Sequence, residues 1–171
     1  IKWVNDVYLR GRKVCGILTE AAVDFESGGL QYAVLGMGIN IREPEGGFSP
    51  ELAQVAGALF PGEVPAGART RLAAAILNRF FSYYQALPDR TFMKAYAKRS
   101  LLTGMEVTYT QGDRAGEGLV LGVDEEARLL LRLPDGREQA FSAGEVQIKK
   151  DFLDRLRREE EENSSETCRK E

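Results

Sequence analysis

The stretches Ile1-Lys2-Trp3-Val4-Asn5-Asp6, Arg12-Lys13-Val14-Cys15-Gly16-Ile17-Leu18 and Gly36-Met37-Gly38-Ile39-Asn40 decide how this chain starts to fold and where its chemistry lies. Apolar segments run from Ile1 to Leu9 and from Lys13 to Phe25, and Arg10-Gly11 between them predicts a tight turn. Leu30 to Ile41 predicts a third strand, entered through Gly28-Gly29, so the opening is an antiparallel meander. With a two-residue turn, Tyr8 faces Lys13 and Asp6 becomes its diagonal neighbour on the same sheet face, a carboxylate within reach of an ammonium. A slip of one residue, or a bulge, would put Asn5 beside Lys13 instead. Either register brings a cation, an anion and an amide to one small area. An exposed pair of this kind is worth little to stability. A compact three-donor ammonium also suits a phosphate or carboxylate that shifts during a reaction.

Gly16 interrupts an apolar strand, which marks either the close approach of a ligand or another backbone, or a bulge. Gly36, Gly38 and Asn40 share one face of the third strand, while Leu35, Met37, Ile39 and Ile41 share the other. One side is therefore an apolar core face. The opposite side is a bare floor ending in an amide, against which a flat group can lie. This Gly-x-Gly lacks the third glycine and the strand-to-helix setting of a dinucleotide fingerprint, and the chain has no Gly-x-x-x-x-Gly-Lys-Ser/Thr loop. Any ATP site here must be of another kind.

Further along, Arg42 to Gly47 has loop composition. Ser49 or Pro50 is expected to start a short helix to about Phe60, ended by Pro61-Gly62. Ala66 to Leu87 is the clearest helix, with Leu72, Ile76, Phe80 and Tyr84 on one stripe and Pro88 as its stop. The Phe80-Phe81 and Tyr83-Tyr84 pairs are expected to be core and helix-packing residues. Asp89 is placed to cap a further helix to about Arg99.

After Leu102 the period becomes alternating. Met105, Val107 and Tyr109 alternate with polar residues, and Gly118 to Val123, Arg128 to Leu133 and Gln139 to Ser142 follow as short strands, with hairpin turns at Gly112-Asp113 and Asp135-Gly136. Five short strands in about fifty residues predict a small SH3-like barrel. Asp151 to Arg158 is expected to extend as a helix, and the acidic block Glu159 to Glu162 with Asn163 to Glu171 to be a disordered tail. The expected class is α+β: a mixed or antiparallel sheet with helices packed on one face, followed by an SH3-like β-barrel.

The chain has 171 residues, 43% hydrophobic and 29% charged, enough for one domain or two small ones. A formal charge of −3 with scattered Lys and Arg gives no basic stripe, so nucleic acid is not an expected partner of this chain. No apolar run approaches about 18 residues, so no membrane span is expected. Cys15 and Cys168 have no metal-ligand spacing and are expected to be free thiols of a cytoplasmic protein. The chain contains no histidine, which excludes from it a Ser-His-Asp triad, a His general base and any His metal ligand.

The three opening stretches resemble, nearly residue for residue, part of the biotin–protein ligases. In that family the strand motif is typically Lys-Trp-Pro-Asn-Asp, then a turn, then Lys-x-x-Gly-Ile-Leu. Val4 stands here in place of the proline, which gives up a fixed φ. The order of elements is similar from Ile1 to about Lys150. The resemblance implies a two-step reaction in which the biotin carboxylate attacks the ATP α-phosphate, and an acceptor lysine then attacks the resulting biotinyl-adenylate. It implies ATP and Mg²⁺ as cofactors, biotin as a substrate, and a biotin carboxyl carrier domain as the protein partner.

Residue by residue, the resemblance implies that Lys13 contacts the biotin carboxylate and the adenylate phosphate and is the catalytic group. Asn5 lies near the phosphates, Asp6 is a candidate Mg²⁺ ligand, Gly16 walls the biotin pocket, and Asn40, with Gly38 on the same floor, borders the adenylate. Glu20 also matches the family pattern.

Two family features are not in the chain: the Gly-Arg-Gly-Arg-x-Gly loop over the adenylate, and the serine, threonine and glutamine positions that hold the biotin ring. In the family both lie upstream of the point where this chain begins, as would any DNA-binding domain. The resemblance therefore implies that residues 1–101 are the C-terminal half of the catalytic domain, 102–150 the SH3-like domain and 151–171 a helix extension and charged tail. Little or no ligation is expected of this chain by itself, and a sheet edge left open could pair two copies into a homodimer.

A lipoate ligase or octanoyl transferase relative would share the lysine after a strand, but accounts less well for the Trp3-Val4-Asn5-Asp6 run. A non-catalytic SH3-like interaction or dimerisation module would use the same scaffold without chemistry.

Overall fold

A computed structural model describes residues 1–148. The helix and tail expected over 151–171, with Cys168, lie outside the described residues. The chain divides into two compact units, Asn5–Val64 in one and Ile1–Val4 with the chain from Pro65 in the other.

In the first unit, β1 (Asp6–Leu9), β2 (Arg12–Val23) and β3 (Leu30–Ile39) form an antiparallel sheet in the order β1-β2-β3. Arg10 and Gly11 both take positive φ, 50° and 64°, as the tightest hairpin turn demands. Tyr8 accordingly faces Lys13 and Leu9 faces Arg12. The register then shifts: Val7 faces Cys15 and Asp6 faces Gly16, leaving Val14 as an extra residue in β2. The first strand begins at Asp6 and not at Ile1, because Ile1–Val4 belong to the other unit, where Trp3 is buried.

The helix expected between Ser49 and Phe60 does not form. Leu52 and Ala53 N–H groups donate to Ser49 O, and those of Val55 and Ala56 to Leu52 O, which makes turns only. The chain then straightens and bonds to β2: Lys13 N–H donates to Val55 O at 2.8 Å and Gly57 N–H to Lys13 O at 2.9 Å, a parallel bridge centred on Ala56. Backbone groups that would have continued a helix are used by this strap. Among the described residues this unit has no helix, so the expected helical layer on one sheet face is not formed within it. Leu18, Leu30, Tyr32 and Val34 are more than half exposed.

The second unit holds α1 (Ala68–Gln85), a short 3₁₀ turn (Leu87–Asp89), α2 (Met93–Lys98) and five strands: β4 (Glu106–Gln111), β5 (Arg114–Val123), β6 (Leu129–Arg132), β7 (Glu138–Phe141) and β8 (Glu145–Ile148). α1 ends ahead of Pro88, as a proline dictates. It buries none of its residues, so the expected core role of Phe80, Phe81, Tyr83 and Tyr84 is not realised. These rings pack on one another: Phe80 stacks on Tyr84 at 5.9 Å and Tyr83 meets Phe92 edge-on at 6.0 Å. Asp89 does not cap α2; it falls in the 3₁₀ turn, and Phe92 occupies the cap position.

The five strands pair antiparallel in the order β7-β6-β5-β4-β8. β7 and β8 occupy opposite edges, so the sheet is open and the expected barrel is not closed among the described residues. Alternation supplies one core residue or more from every strand: Val107, Val120, Leu129, Leu131, Phe141 and Val146 cluster with Leu102 and Trp3. Trp3 is 5% exposed, and its indole N–H donates to Ala127 O at 2.8 Å.

The turn that carries Ala127 is held by Asp124, whose carboxylate accepts the Arg128 N–H at 2.8 Å, the Glu126 N–H at 3.0 Å and the Arg128 guanidinium at 2.7 Å. Burial pushes the Asp124 carboxyl up, but these bonds outweigh it and hold it below its ordinary 3.8. A carboxyl depressed on folding adds stability that is complete above the unfolded pKa and is lost as pH falls through the folded one. Asp124→Asn is therefore expected to lower Tm by a few degrees at neutral pH, with the deficit closing as pH drops below 3.8. Thermal unfolding followed by circular dichroism across that range checks it; a deficit that persists unchanged into strong acid contradicts it.

Candidate functional site

Across the three-stranded sheet, Asp6, Gly16 and Gly38 stand in one row, since Asp6 faces Gly16 and Gly16 faces Gly38. Lys13 reaches into this row from beyond the extra residue Val14, and its Nζ lies 2.7 Å from Asp6 Oδ1. The side chain passes over Gly16. A Cβ there would sit 3.3 Å from both Lys13 Cε and Nζ, and 3.6 Å from Asp6 Oδ1. Glycine at 16 thus leaves the lane in which the ammonium meets the carboxylate, and the bulge sits one residue beyond Lys13.

Asn5, which a bulge was expected to place beside Lys13, is held elsewhere. Its side-chain amide donates to Ile17 O, and Ile17 N–H donates to Asn5 O at 3.0 Å. The extra residue lies in β2 between the rows of Tyr8 and Val7, so Asp6 and Lys13 stay on a common face.

Leu18 faces Gly36 and Gly16 faces Gly38, which continues the floor along β3. Added Cβ atoms at Gly36 and Gly38 would meet only Leu18 O at 3.7 Å and Gly16 O at 3.9 Å, ordinary contacts. The room is real and left empty. Asn5, Asp6, Lys13, Gly16, Ile17, Leu18, Gly36, Met37 and Gly38 line a shallow depression of about 470 Å³. Five of the six residues singled out in the sequence, Asn5, Asp6, Lys13, Gly16 and Gly38, therefore come together. Asn40 stands outside the lining: its amide Nδ2 donates to Gly57 O at 2.9 Å, its N–H to Val14 O at 2.8 Å, and its carbonyl accepts from Leu59 N–H at 2.9 Å.

The strap at Val55–Gly57 was not legible as part of this region. A glycine at the end of an apolar run is ordinarily a helix end, and nothing local signals that the chain pairs with residue 13 some forty positions away.

Lys13 is 42% exposed and Asp6 18%, so solvent screens the pair and its worth to stability is small. What the pair supplies is placement: an ammonium fixed beside a bare backbone floor, able to meet an anionic oxygen of a flat ligand. Among the described residues no cluster of three or more His, Cys, Asp or Glu could hold a metal ion. Asp6 is a lone carboxylate already engaged by Lys13, so it fits Mg²⁺ only as one ligand beside phosphate oxygens and water.

Next to the pair, burial raises the Cys15 thiol above its ordinary 9.0; the Asp6 carboxylate adds to the rise and the Lys13 ammonium opposes it. Cys15 is thus predominantly a thiol at neutral pH and a poor nucleophile. In a Cys168→Ser background, alkylation by iodoacetamide is expected to titrate with a midpoint above 9.0, and Asp6→Asn to bring that midpoint down. A midpoint below 9.0, or an upward shift with Asp6→Asn, contradicts the assigned charge environment.

Residues 103–149, which span the five-stranded sheet, match the family described as "Biotin protein ligase C terminal domain". The chain is 30% identical over 149 residues to the bifunctional ligase/repressor BirA of Bacillus subtilis, covering 84% of this chain and 44% of that protein. It is 32% identical over 151 residues to the biotin--[acetyl-CoA-carboxylase] ligase of Mycobacterium tuberculosis, covering 85% and 52% respectively. Among solved structures, the biotin protein ligase of Aquifex aeolicus in complex with biotin and ATP superposes with a TM-score of 0.69 at 23% identity, over 87% of this chain and 61% of that one. The apo structure of the same ligase gives 0.72 at 22% identity over 87% and 65%; these structural matches speak for the fold. The chain spans about half the length of the curated relatives it matches.

Proposed function

We propose that this chain, which carries a biotin protein ligase C-terminal domain, contributes the lysine side of an ATP-dependent site that joins biotin to an acceptor lysine through biotinyl-adenylate. The supporting observation is the Lys13 ammonium held 2.7 Å from Asp6 across the bare row of Gly16 and Gly38. In the first step a biotin carboxylate oxygen bonds to the α-phosphorus of ATP as the bond to pyrophosphate breaks. In the second, the acceptor amine attacks the acyl carbon, AMP leaves and the amine gives up its proton.

Negative charge grows on oxygens next to the reacting atoms in both steps, and a fixed donor in place beforehand stabilises it without reorganisation. Lys13 is that donor. Asp6 orients it from the far side, Gly16 and Gly38 let the ligand approach the backbone, Asn5 stands by the phosphates, and Asn40 borders the adenylate from the end of β3. Bound Mg²⁺ would neutralise phosphate charge, with Asp6 as a protein ligand.

In this proposal residues 1–101 are the C-terminal half of the catalytic domain and 102–150 an SH3-like domain that meets the acceptor, a biotin carboxyl carrier domain, in the cytoplasm. β1 and β3 are the edges of the three-stranded sheet, and a second copy would pair there. The 171 residues contain no Gly-Arg-Gly-Arg-x-Gly run to cover an adenylate, so turnover is assigned to the intact ligase and little is expected of this stretch in isolation.

In the intact protein, Lys13→Ala is expected to cut biotin-dependent pyrophosphate exchange by about 10²–10³-fold, as for loss of a donor to a developing oxyanion. Wild-type exchange in the alanine variant removes Lys13 from the mechanism. No exchange in the unaltered protein, with biotin, ATP and Mg²⁺ all present, contradicts the ligase assignment itself.

A further inference from the structure

We infer that the strap Val55-Ala56-Gly57 is the device that positions Lys13, and that Gly57 is a positioning residue for the ligation chemistry. The inference rests on the function proposed above and adds residues that none of the sequence motifs contains.

Lys13 sits at an interruption of β2. It immediately precedes the extra residue Val14, where the ladder with β1 is interrupted. Its partner across the sheet on that side is Tyr8, in the last rows before the turn. β3 gives no support either, because the β2–β3 register begins at Cys15 paired with Ile39. The ammonium end of a four-carbon side chain amplifies any tilt of its Cα. A residue at a bulge near a hairpin end would therefore leave the Asp6 carboxylate alone to aim its Nζ unless its backbone were held as well.

The strap supplies the missing hold. Both backbone groups of Lys13 are bonded to it, N–H to Val55 O at 2.8 Å and carbonyl to Gly57 N–H at 2.9 Å. Ala56 between them is 8% exposed. The strap is pinned in turn by the Asn40 amide on Gly57 O at 2.9 Å and by Leu59 N–H on Asn40 O at 2.9 Å. Gly57 has no room for anything larger: a Cβ would lie 2.7 Å from Arg12 Cβ, a stem atom fixed to the backbone that cannot swing away. With any other residue at 57 either the strap or the Arg12 end of β2 must shift, which strains the two bonds that Lys13 makes to the strap. Glycine at 57 is thus required by an approach to the residue preceding Lys13.

The test uses the intact protein, with radiolabelled biotin so that residual adenylate formation is measured. Gly57→Ala is expected to lower kcat for adenylate formation by tenfold or more with a small change in the KM for ATP, and Arg12→Gly, which removes the clashing carbon, to restore most of the rate. In a Lys13→Ala background Gly57→Ala should cost nothing further, because the strap acts through that side chain. Should the alanine variant prove insoluble, Ala56→Gly loosens the strap without a clash; it should cost three- to tenfold with Lys13 present and nothing without it. Losses that multiply independently of Lys13, or wild-type rates for Gly57→Ala and Ala56→Gly, overturn the inference. Unchanged rates for Lys13→Ala alone would instead defeat the underlying function.

Discussion

The pairing of Lys13 with Asp6 over Gly16 is the constraint on which the proposed chemistry depends. An ion pair with one partner 42% exposed contributes little to folding, so its worth lies in where it leaves the ammonium. Three conditions make the placement: a turn with two positive φ angles that sets Tyr8 against Lys13, an extra residue at Val14 that leaves Asp6 opposite Gly16, and a missing side chain at 16. The turn and the extra residue set the face on which the charged nitrogen stands, and a Cβ at 16 would crowd it at 3.3 Å.

The two units are held together in different ways. The second has the firm core, where alternate residues of five strands converge on Leu102 and Trp3. The first buries few side chains and is held by backbone ladders, so its order comes from hydrogen bonds and register. That makes the position of each backbone group consequential, and it is the ground on which we assign the aim of Lys13 to a strap that contributes no charged side chain.

Much of this was legible in the amino-acid sequence. Arg10-Gly11 fixed the hairpin, period-two alternation marked the strands from Met105 onward, and the Gly36-Met37-Gly38 pattern foretold a bare face. What failed did so for physical reasons. The segment from Ser49 to Phe60 was expected to be helical, yet Val55 O and Gly57 N–H are taken by Lys13, a partner that no local propensity announces. The stripe on α1 is genuine in period but does not become core; its aromatic rings pack against one another. Five short strands predicted closure, and among the described residues β7 and β8 stand at opposite edges and do not pair with each other. Asn40 shares a face with Gly36 and Gly38 by alternation, while its amide is turned to Gly57 O.

The most direct measurement is a crystal structure of the intact protein with a non-hydrolysable biotinyl-adenylate analogue. The account predicts the Lys13 ammonium within hydrogen-bond distance, about 3 Å, of an oxygen at the acyl-phosphate junction, with the ligand lying flat along Gly16 and Gly38. A ligand bound elsewhere, or bound here with that nitrogen turned to solvent, would contradict it.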